Sequence, residues 1–156
     1  MKRIASYLAL IIVLTSCNTG SERGSSNSNT EKKLEIENSR FNYSFTVPSQ
    51  WNVIDSSDNG DGYFINTGNA STDVRIYALM ADVNEMDRFE GFECDKKTDF
   101  RIGDQMGSKC MNKNERVYTV DYNDKRVYIY AHADESWITH NESVLEALAK
   151  SVRVTD

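Results

Sequence analysis

Apolar side chains recur at every second position through much of the chain after residue 40. In residues 41–47, FNYSFTV, aromatic and aliphatic residues alternate with polar ones, and Pro48 ends the run. A period of two is typical of a β-strand that buries one face. Further extended segments are predicted at residues 51–54, 63–65 and 74–80, separated by turns at residues 58–62 and 68–69.

The second half of the chain continues in extended segments and ends in a helix. Strands are predicted at residues 100–102, 108–111, 117–120 and 127–131, with a hairpin turn at residues 123–124. Residues 82–93 are ambiguous, although Asp82 is placed to cap a short helix. In residues 144–152 the apolar side chains share one helical face, and Thr139 with Glu142 matches a capping box.

Strands in hairpin order, followed by a helix and a short final strand at residues 152–154, indicate the fold class. Consecutive strands joined by tight turns form an antiparallel sheet, and helices must then cover one or both of its faces. The sequence therefore predicts a single α+β domain over residues 34–156, mainly an antiparallel β-sheet flanked by helices.

The first seventeen residues have the pattern of a bacterial export signal. Lys2 and Arg3 precede an apolar run at residues 8–14, which is shorter than the roughly 20 residues that span a bilayer. Residues 14–17, LTSC, resemble the lipobox of bacterial lipoprotein precursors. The resemblance implies that residues 1–16 are a signal peptide that is removed, and that Cys17 carries the lipid anchor. An ordinary secretory signal with a chance cysteine is the alternative.

The residues after Cys17 bear on where the anchored chain resides. An Asp in that place retains enterobacterial lipoproteins in the inner membrane, so Asn18 favours the outer membrane of a Gram-negative cell. Residues 18–32 contain no aliphatic or aromatic residue and are rich in Ser, Asn, Thr and Gly. Such a segment buries too little apolar surface to fold. Residues 17–33 are therefore predicted to be the lipidated cysteine and a flexible linker.

The net charge of the chain bears on which classes of molecule it is expected to bind. It has 18 Lys and Arg against 24 Asp and Glu, a formal net charge of −6. Nucleic acid and anionic lipid both repel an acidic protein, so neither is an expected ligand. The expected contacts are the membrane, through the lipid on Cys17, and another protein of the cell envelope.

Cys94 and Cys110 are left as a pair once Cys17 carries lipid. Outside the cytoplasm such a pair favours a disulfide, and the C-x2-C element of zinc sites is missing. Free buried thiols, and metal or redox chemistry, are the alternatives.

Two segments resemble the PsbP/Mog1-like proteins, a group that includes DcrB-like bacterial lipoproteins. Residues 43–51, YSFTVPSQW, resemble the group's aromatic strand with its Pro-x-x-Trp end, and residues 144–154, VLEALAKSVRV, resemble its closing helix and strand. The resemblance implies an antiparallel sheet between helices. Members of the group act mainly as binding or assembly accessories.

No catalytic or cofactor-binding constellation emerges from the sequence. The acidic turn at residues 55–62 lacks EF-hand spacing, and neither G-x-S-x-G nor a phosphate-binding glycine loop occurs. His132, Asp134 and His140 could serve a small metal-dependent hydrolase, but H-E-x-x-H spacing is absent. The sequence therefore predicts a protein that is not an enzyme, with no metal and no cofactor.

The tyrosines of the last predicted hairpin are the remaining candidate for a binding surface. Tyr118, Tyr128 and Tyr130 are spaced to form a cross-strand ladder. An exposed ladder would contact a partner protein, because aromatic residues dominate interface hot spots, whereas a buried one would be core. Core is the favoured interpretation.

The function that these observations favour is a lipid-anchored binding or accessory module of the cell envelope. An immunity protein that neutralises an envelope-targeting toxin is the alternative, because an acidic surface steers docking to a basic toxin domain.

Overall fold

The fold is assembled from strands in hairpin order and one long helix, in a computed structural model that describes residues 32–55, 57–80, 93–102 and 105–154. The elements are β1 Lys33–Asn38, β2 Tyr43–Pro48, β3 Asn52–Ile54, β4 Gly62–Asn66, β5 Asp73–Met80, β6 Lys96–Ile102, β7 Gln105–Met111, β8 Glu115–Tyr122, β9 Lys125–His132, α1 Glu135–Ser151 and β10 Arg153–Val154. Cys17, the export signal, nearly all of the linker and residues 82–92 of the ambiguous segment lie outside the described residues. Within the described ranges, no helix is long and apolar enough to cross a membrane.

The strands form two sheets. Seven of them pair in the order β3-β4-β5-β9-β8-β7-β6, and β1, β2 and β10 form a smaller sheet. Each pairing in both sheets is antiparallel, as the hairpin order predicts. The central strand β9 is paired along its whole length with β5 on one side and β8 on the other. Its dense Val, Tyr and Ile content suits that position.

The main core lies between α1 and the face of the large sheet that the helix covers. Ile138, Leu145 and Leu148 of α1 are fully buried there. From the smaller sheet, Phe45 and Val47 of β2 enter the same core and are fully buried. Burying one large apolar side chain contributes about 1.5–3 kcal/mol, so these contacts hold the helix and both sheets together.

The helix begins earlier than the capping-box pattern predicts. Its N-cap is Asp134, whose carboxylate accepts a hydrogen bond of 2.8 Å from the backbone N–H of Trp137. The prediction of Thr139 as the N-cap is wrong, because Thr139 lies inside α1 and its hydroxyl donates to a carbonyl one turn earlier. Glu142 bonds to cations of the sheet instead of reaching back to the cap. Burial of Ile138 in the core extends the helix toward its start.

Strand β1 was not predicted from the sequence. It pairs with β2 from Lys33 opposite Pro48 to Asn38 opposite Tyr43. Most of its side chains are exposed, and Ile36 is the residue that packs against the main core. With one inward-facing apolar residue, the segment shows no period of two in its sequence. Its strand conformation therefore depends on pairing with the more apolar strand β2.

Candidate functional site

The face of the large sheet opposite α1 carries side chains that the strand registers align in rows. We call it the outer face. The rows across it are Phe64–Arg75–Tyr130–Val117, Gly62–Tyr77–Tyr128–Thr119 and Asp73–His132–Glu115. Directly opposed residues on one face of a sheet are in contact range, so each row forms a continuous strip of side chains.

The three tyrosines of the β8–β9 hairpin do not form one ladder. Tyr118 lies opposite Ile129 on the α1 side and is 1% exposed. Tyr128 and Tyr130 lie on the outer face, because successive residues of a strand point to opposite faces. Tyr128 is buried, with its ring stacked on that of Tyr77 at 5.4 Å. The core interpretation therefore describes Tyr118 and Tyr128, while Tyr130 is half-buried at the edge of a cavity.

That cavity, the outer-face pocket, has a volume of about 530 Å³ and opens beside β4, β5 and β9. Its volume lies in the range of ligand-binding clefts. Three aromatic side chains of the outer-face rows, Phe64, Tyr77 and Tyr130, line it. Its charged lining residues are Asp58, Asp61, Asp73, Arg75 and Glu115.

The turn between β3 and β4 forms one wall of the outer-face pocket. The carbonyl of Asp61 accepts hydrogen bonds from the Ala78 N–H at 2.9 Å and the Tyr43 hydroxyl at 3.0 Å, which fix the turn on the sheet. Gly62 follows, and a Cβ there would lie 2.3 Å from the carbonyl oxygen of Ile76. Only glycine permits this close approach of the turn to β5, so Gly62 is required where this wall meets the sheet.

Arg75 lines the pocket, and its positive charge is paired with the carboxylate of Asp73. Its guanidinium donates two hydrogen bonds to the Asp73 carboxylate, at 2.7 and 2.6 Å. The same guanidinium lies over the ring of Phe64, 4.7 Å from the centroid. The hydrogen bonds to Asp73 raise the pKa of Arg75, so it remains a cation throughout the physiological range.

Tyr130 and Glu115 form the far side of the pocket. The Tyr130 hydroxyl donates to Glu115 at 2.8 Å, and the Asn112 side chain donates to the other carboxylate oxygen at 2.7 Å. Burial, followed by the hydrogen bond and the negative charge of Glu115, raises the pKa of Tyr130. The tyrosine is therefore a neutral donor that holds the carboxylate at the pocket edge.

The residues proposed for a metal-dependent hydrolase are not brought together. His132 ends β9 on the outer face, Asp134 caps α1, and His140 is exposed one turn and a half into the helix. Across residues 32–55, 57–80, 93–102 and 105–154, no group of three or more His, Cys, Asp or Glu is placed to hold a metal ion.

Cys94 and Cys110 are joined in a disulfide, with their Cα atoms 5.5 Å apart. Cys110 lies in β7 on the outer face, where it packs against a small buried cluster of Leu79, Val117 and Tyr128. Tyr77 and Tyr130 of the pocket pack against the same cluster. The disulfide therefore ties the chain before β6 to the apolar patch that adjoins the outer-face pocket.

A second concentration of charge lies on the opposite face, beneath α1. Lys109 of β7 bonds to both Glu142 and Glu146, at 2.9 and 2.6 Å, and Arg116 of β8 bonds to Glu142 at 2.7 Å. The cationic side chains are only 13% and 11% exposed. Tyr118 also donates to Glu142, at 3.2 Å. These bonds attach the helix to the sheet, and Glu142 is at their centre.

Replacing Glu142 by glutamine is expected to lower the free energy of unfolding by about 2 kcal/mol at neutral pH, because two poorly hydrated cations lose their shared anion. Burial opposes ionisation of Glu142, but the bonds from Lys109 and Arg116 outweigh it and lower its pKa below the ordinary 4.5. Its contribution is therefore complete above about pH 4.5 and is lost as the pH falls further.

Urea unfolding between pH 3 and pH 7 measures both effects. The matched control is Glu135→Gln on the same helix, since the Glu135 side chain is 61% exposed. An exposed ion pair contributes about 1 kcal/mol at most. The role of Glu142 would be contradicted if both variants lost the same free energy of unfolding. It would also be contradicted if the stability of Glu142→Gln fell below pH 4.5 as steeply as that of the wild type.

Most residues of the outer-face pocket could not be recognised as a site from the sequence. Asp73, Arg75 and Tyr77 alternate with the apolar residues of a predicted strand, which is a signal for a shared outward face. The turn at residues 55–62 was predicted as a polar loop, and nothing in its composition indicates that it folds against that face. The pairing of β5 with β9, which adds Tyr130, joins segments about fifty residues apart.

Comparisons with known proteins bear on the fold. No protein-family model matches the chain, and no curated protein matches it in sequence. The solution structure of cyanobacterial PsbP (CyanoP) from Synechocystis sp. PCC 6803 matches with a TM-score of 0.60 and 10% identity, over 83% of this chain and 96% of that one. The crystal structure of the Saccharomyces cerevisiae Ran-binding protein Mog1p matches with a TM-score of 0.52 and 9% identity, over 81% and 97%. The chain has a PsbP/Mog1-like fold, as the resemblance predicts.

Proposed function

We propose that this chain is a lipid-anchored, non-enzymatic module of the bacterial cell envelope that binds another envelope protein at the outer-face pocket. The observation that carries the proposal is the pocket itself: a cavity of about 530 Å³ with aromatic and charged walls on a sheet face that α1 does not cover. The lipobox-like residues 14–17 support the anchor, and the polar linker supports presentation of the domain away from the lipid.

The composition of the pocket supports a protein as its partner. Aromatic residues and arginine are the side chains most enriched at interface hot spots. Phe64 is 39% exposed; on the next strand Arg75 lies directly opposite it and Tyr77 lies opposite Gly62. A fold match at 9% identity carries no partner with it, but Mog1p, described as a Ran-binding protein, is a structural match that binds a protein.

An immunity protein is the second candidate, and the acidic lining of the pocket favours it. A domain that binds a basic toxin gains association rate from negative charge at the contact. Expression of the chain would then protect cells against a basic envelope-targeting effector, and Phe64→Ala would abolish that protection. An accessory of an envelope complex would make the same contact with its partner without protecting cells against a toxin. We rank this function first because it requires no toxin.

Site-specific photo-crosslinking in intact cells tests the proposed function. The full chain carries benzoylphenylalanine at residue 64, inside the pocket, or at residue 34 as the control. Leu34 is 45% exposed, which matches Phe64 in exposure, but it lies in the smaller sheet and does not line the pocket. A discrete crosslinked protein is expected from residue 64 and not from residue 34. No crosslink from residue 64, or the same crosslinks from both, would overturn the proposal.

A further inference from the structure

We propose that Asn59 is a site of spontaneous covalent modification, at which the folded chain loses the side-chain amide and gains an aspartate or an isoaspartate. The site lies in the turn between β3 and β4, which forms one wall of the outer-face pocket. The modification concerns the turn itself and requires no partner protein.

The turn contains two dipeptides in which a side chain can react with the backbone. Asn59-Gly60 is the one Asn-Gly sequence of the chain, and Asp61-Gly62 is the one Asp-Gly sequence. In both, the side-chain carbonyl carbon is within reach of the next backbone nitrogen, and a glycine at that position has no side chain to hinder the approach. Asparagine is a thermolabile residue. The structure exposes the first dipeptide and protects the second.

Asn59 is accessible to the reaction. It is exposed, and Gly60 after it has a φ of +64°. A Cβ on Gly60 would meet the flexible side chain of Arg40, with the closest atom at 3.3 Å, rather than any backbone. The Gly60 N–H donates to the Ser57 carbonyl at 3.0 Å, and this hydrogen bond has to open before the nitrogen can react. Surface turns open locally at a small cost in free energy, so the folded chain can reach the reactive geometry.

Asp61 is protected, although its dipeptide has the same form. It is 8% exposed, and its carboxylate accepts a hydrogen bond from the Ser57 hydroxyl. Gly62 begins β4 against β5, where a Cβ would lie 2.4 Å from the Cβ of Tyr77. A ring between Asp61 and Gly62 could form only if the start of β4 left the sheet. This dipeptide is therefore expected to stay intact while the chain is folded.

The reaction consumes water and releases ammonia. The Gly60 nitrogen gives up its proton to solvent and attacks Cγ of Asn59, and the amide nitrogen leaves as ammonia, which closes a succinimide ring. Water then opens the ring at one of its carbonyls. Opening at the former side-chain carbonyl gives aspartate. Opening at the main-chain carbonyl gives isoaspartate, in which the backbone runs through the former side chain.

Both products alter the wall of the outer-face pocket. Each places a new carboxylate beside the exposed Asp58, and residues 58 and 59 both line the pocket. Isoaspartate also adds a methylene to the backbone just before Gly60, whose carbonyl accepts a hydrogen bond of 2.9 Å from the Asn38 side chain. The charge and the shape of this wall therefore change with the age of the molecule.

Ageing of the purified full chain in detergent, at neutral pH and physiological temperature, tests the inference. Samples are digested at mildly acidic pH, which suppresses conversion during handling. Tandem mass spectrometry then locates the converted residues, and a protein isoaspartate methyltransferase labels isoaspartate. Asn123 is the internal control, since it is also exposed in a turn but precedes Asp124, whose side chain hinders the attack. We expect residue 59 to convert several times faster than residue 123, and Asn59→Gln to remove most of the isoaspartate that forms.

A second sample aged in guanidinium chloride separates the effect of the fold from that of the sequence. Asp61 is expected to form isoaspartate in the unfolded chain and not in the folded one, whereas Asn59 converts in both. Conversion at residue 59 that is no faster than at residue 123, or that occurs only in the unfolded sample, would overturn the inference. Equal isoaspartate formation at Asp61 in the two samples would overturn the protection that the fold is expected to give.

Discussion

Removing the Cys94–Cys110 disulfide is expected to lower the free energy of unfolding by about 3 kcal/mol. The bond closes a loop with a sequence separation of 16 residues. Without it the unfolded chain has more conformational entropy, which in the chain-entropy model lowers the free energy of unfolding by about 3 kcal/mol. A small domain is stable by only about 5–15 kcal/mol, so the loss is a large share of the total. Urea unfolding of the Cys94→Ser, Cys110→Ser double variant measures it.

The state of the bond itself is read by intact mass in a Cys17→Ser background, where Cys94 and Cys110 are the only cysteines. Reduction should add two hydrogens, and unreduced, unfolded protein should take up no alkylating reagent. Two alkylatable thiols before reduction would contradict the bond. An unchanged urea midpoint in the double variant would contradict its contribution to stability.

Most strands could be predicted because each carries its own evidence in the sequence, and β1, whose side chains are mostly exposed, is the exception. Residues 41–47 and 74–80 alternate strongly, and they coincide largely with β2 and β5, which bury one face in the core. The start of the helix could not be predicted in the same way. Asp134 and Thr139 are both good capping residues, and the choice depends on Ile138, which the core buries. That burial is a tertiary contact, so it is absent from local sequence.

The candidate site was harder to predict because its lining brings residues 57–64 together with residues of β5 and with residues of β8 and β9, which follow much later in the chain. Asp58 comes from a turn, Phe64 and Arg75 from paired strands, and Tyr130 from a strand some fifty residues later. Only the β5–β9 pairing brings Tyr130 beside Arg75. A sequence pattern reports which face a residue takes in its own strand, but not which strand lies beside it.

The tyrosines illustrate the same limit at the scale of one residue. The hairpin at residues 123–124 was predicted correctly, but its register decides that Tyr118 meets Ile129 rather than Tyr128. A shift of one residue moves a side chain to the other face of the sheet. The residues of a possible partner surface therefore change with a register that the turn sequence only partly specifies.

Replacing Cys17 by serine is expected to abolish lipid attachment completely. The lipobox resemblance assigns the diacylglycerol to the Cys17 thiol, and a serine hydroxyl cannot form that thioether. Because removal of residues 1–16 follows lipidation in such precursors, the variant is also expected to keep its signal peptide. Each buried methylene of an acyl chain contributes about 0.8 kcal/mol, and one chain alone anchors only marginally, so two or three chains make the attachment stable.

Metabolic labelling with an alkynyl fatty acid, followed by intact-mass analysis, measures both consequences in cells. The wild-type chain should carry label and begin at Cys17, while Cys17→Ser should carry none and begin at Met1. Cys94→Ser is the matched control, since it removes a thiol that the lipobox does not include and should leave the label unchanged. Label that persists in Cys17→Ser would show that the lipid is attached at another residue. Wild-type protein that carries no label would show that the chain is not a lipoprotein and would leave the outer-face pocket as the property of an unanchored domain.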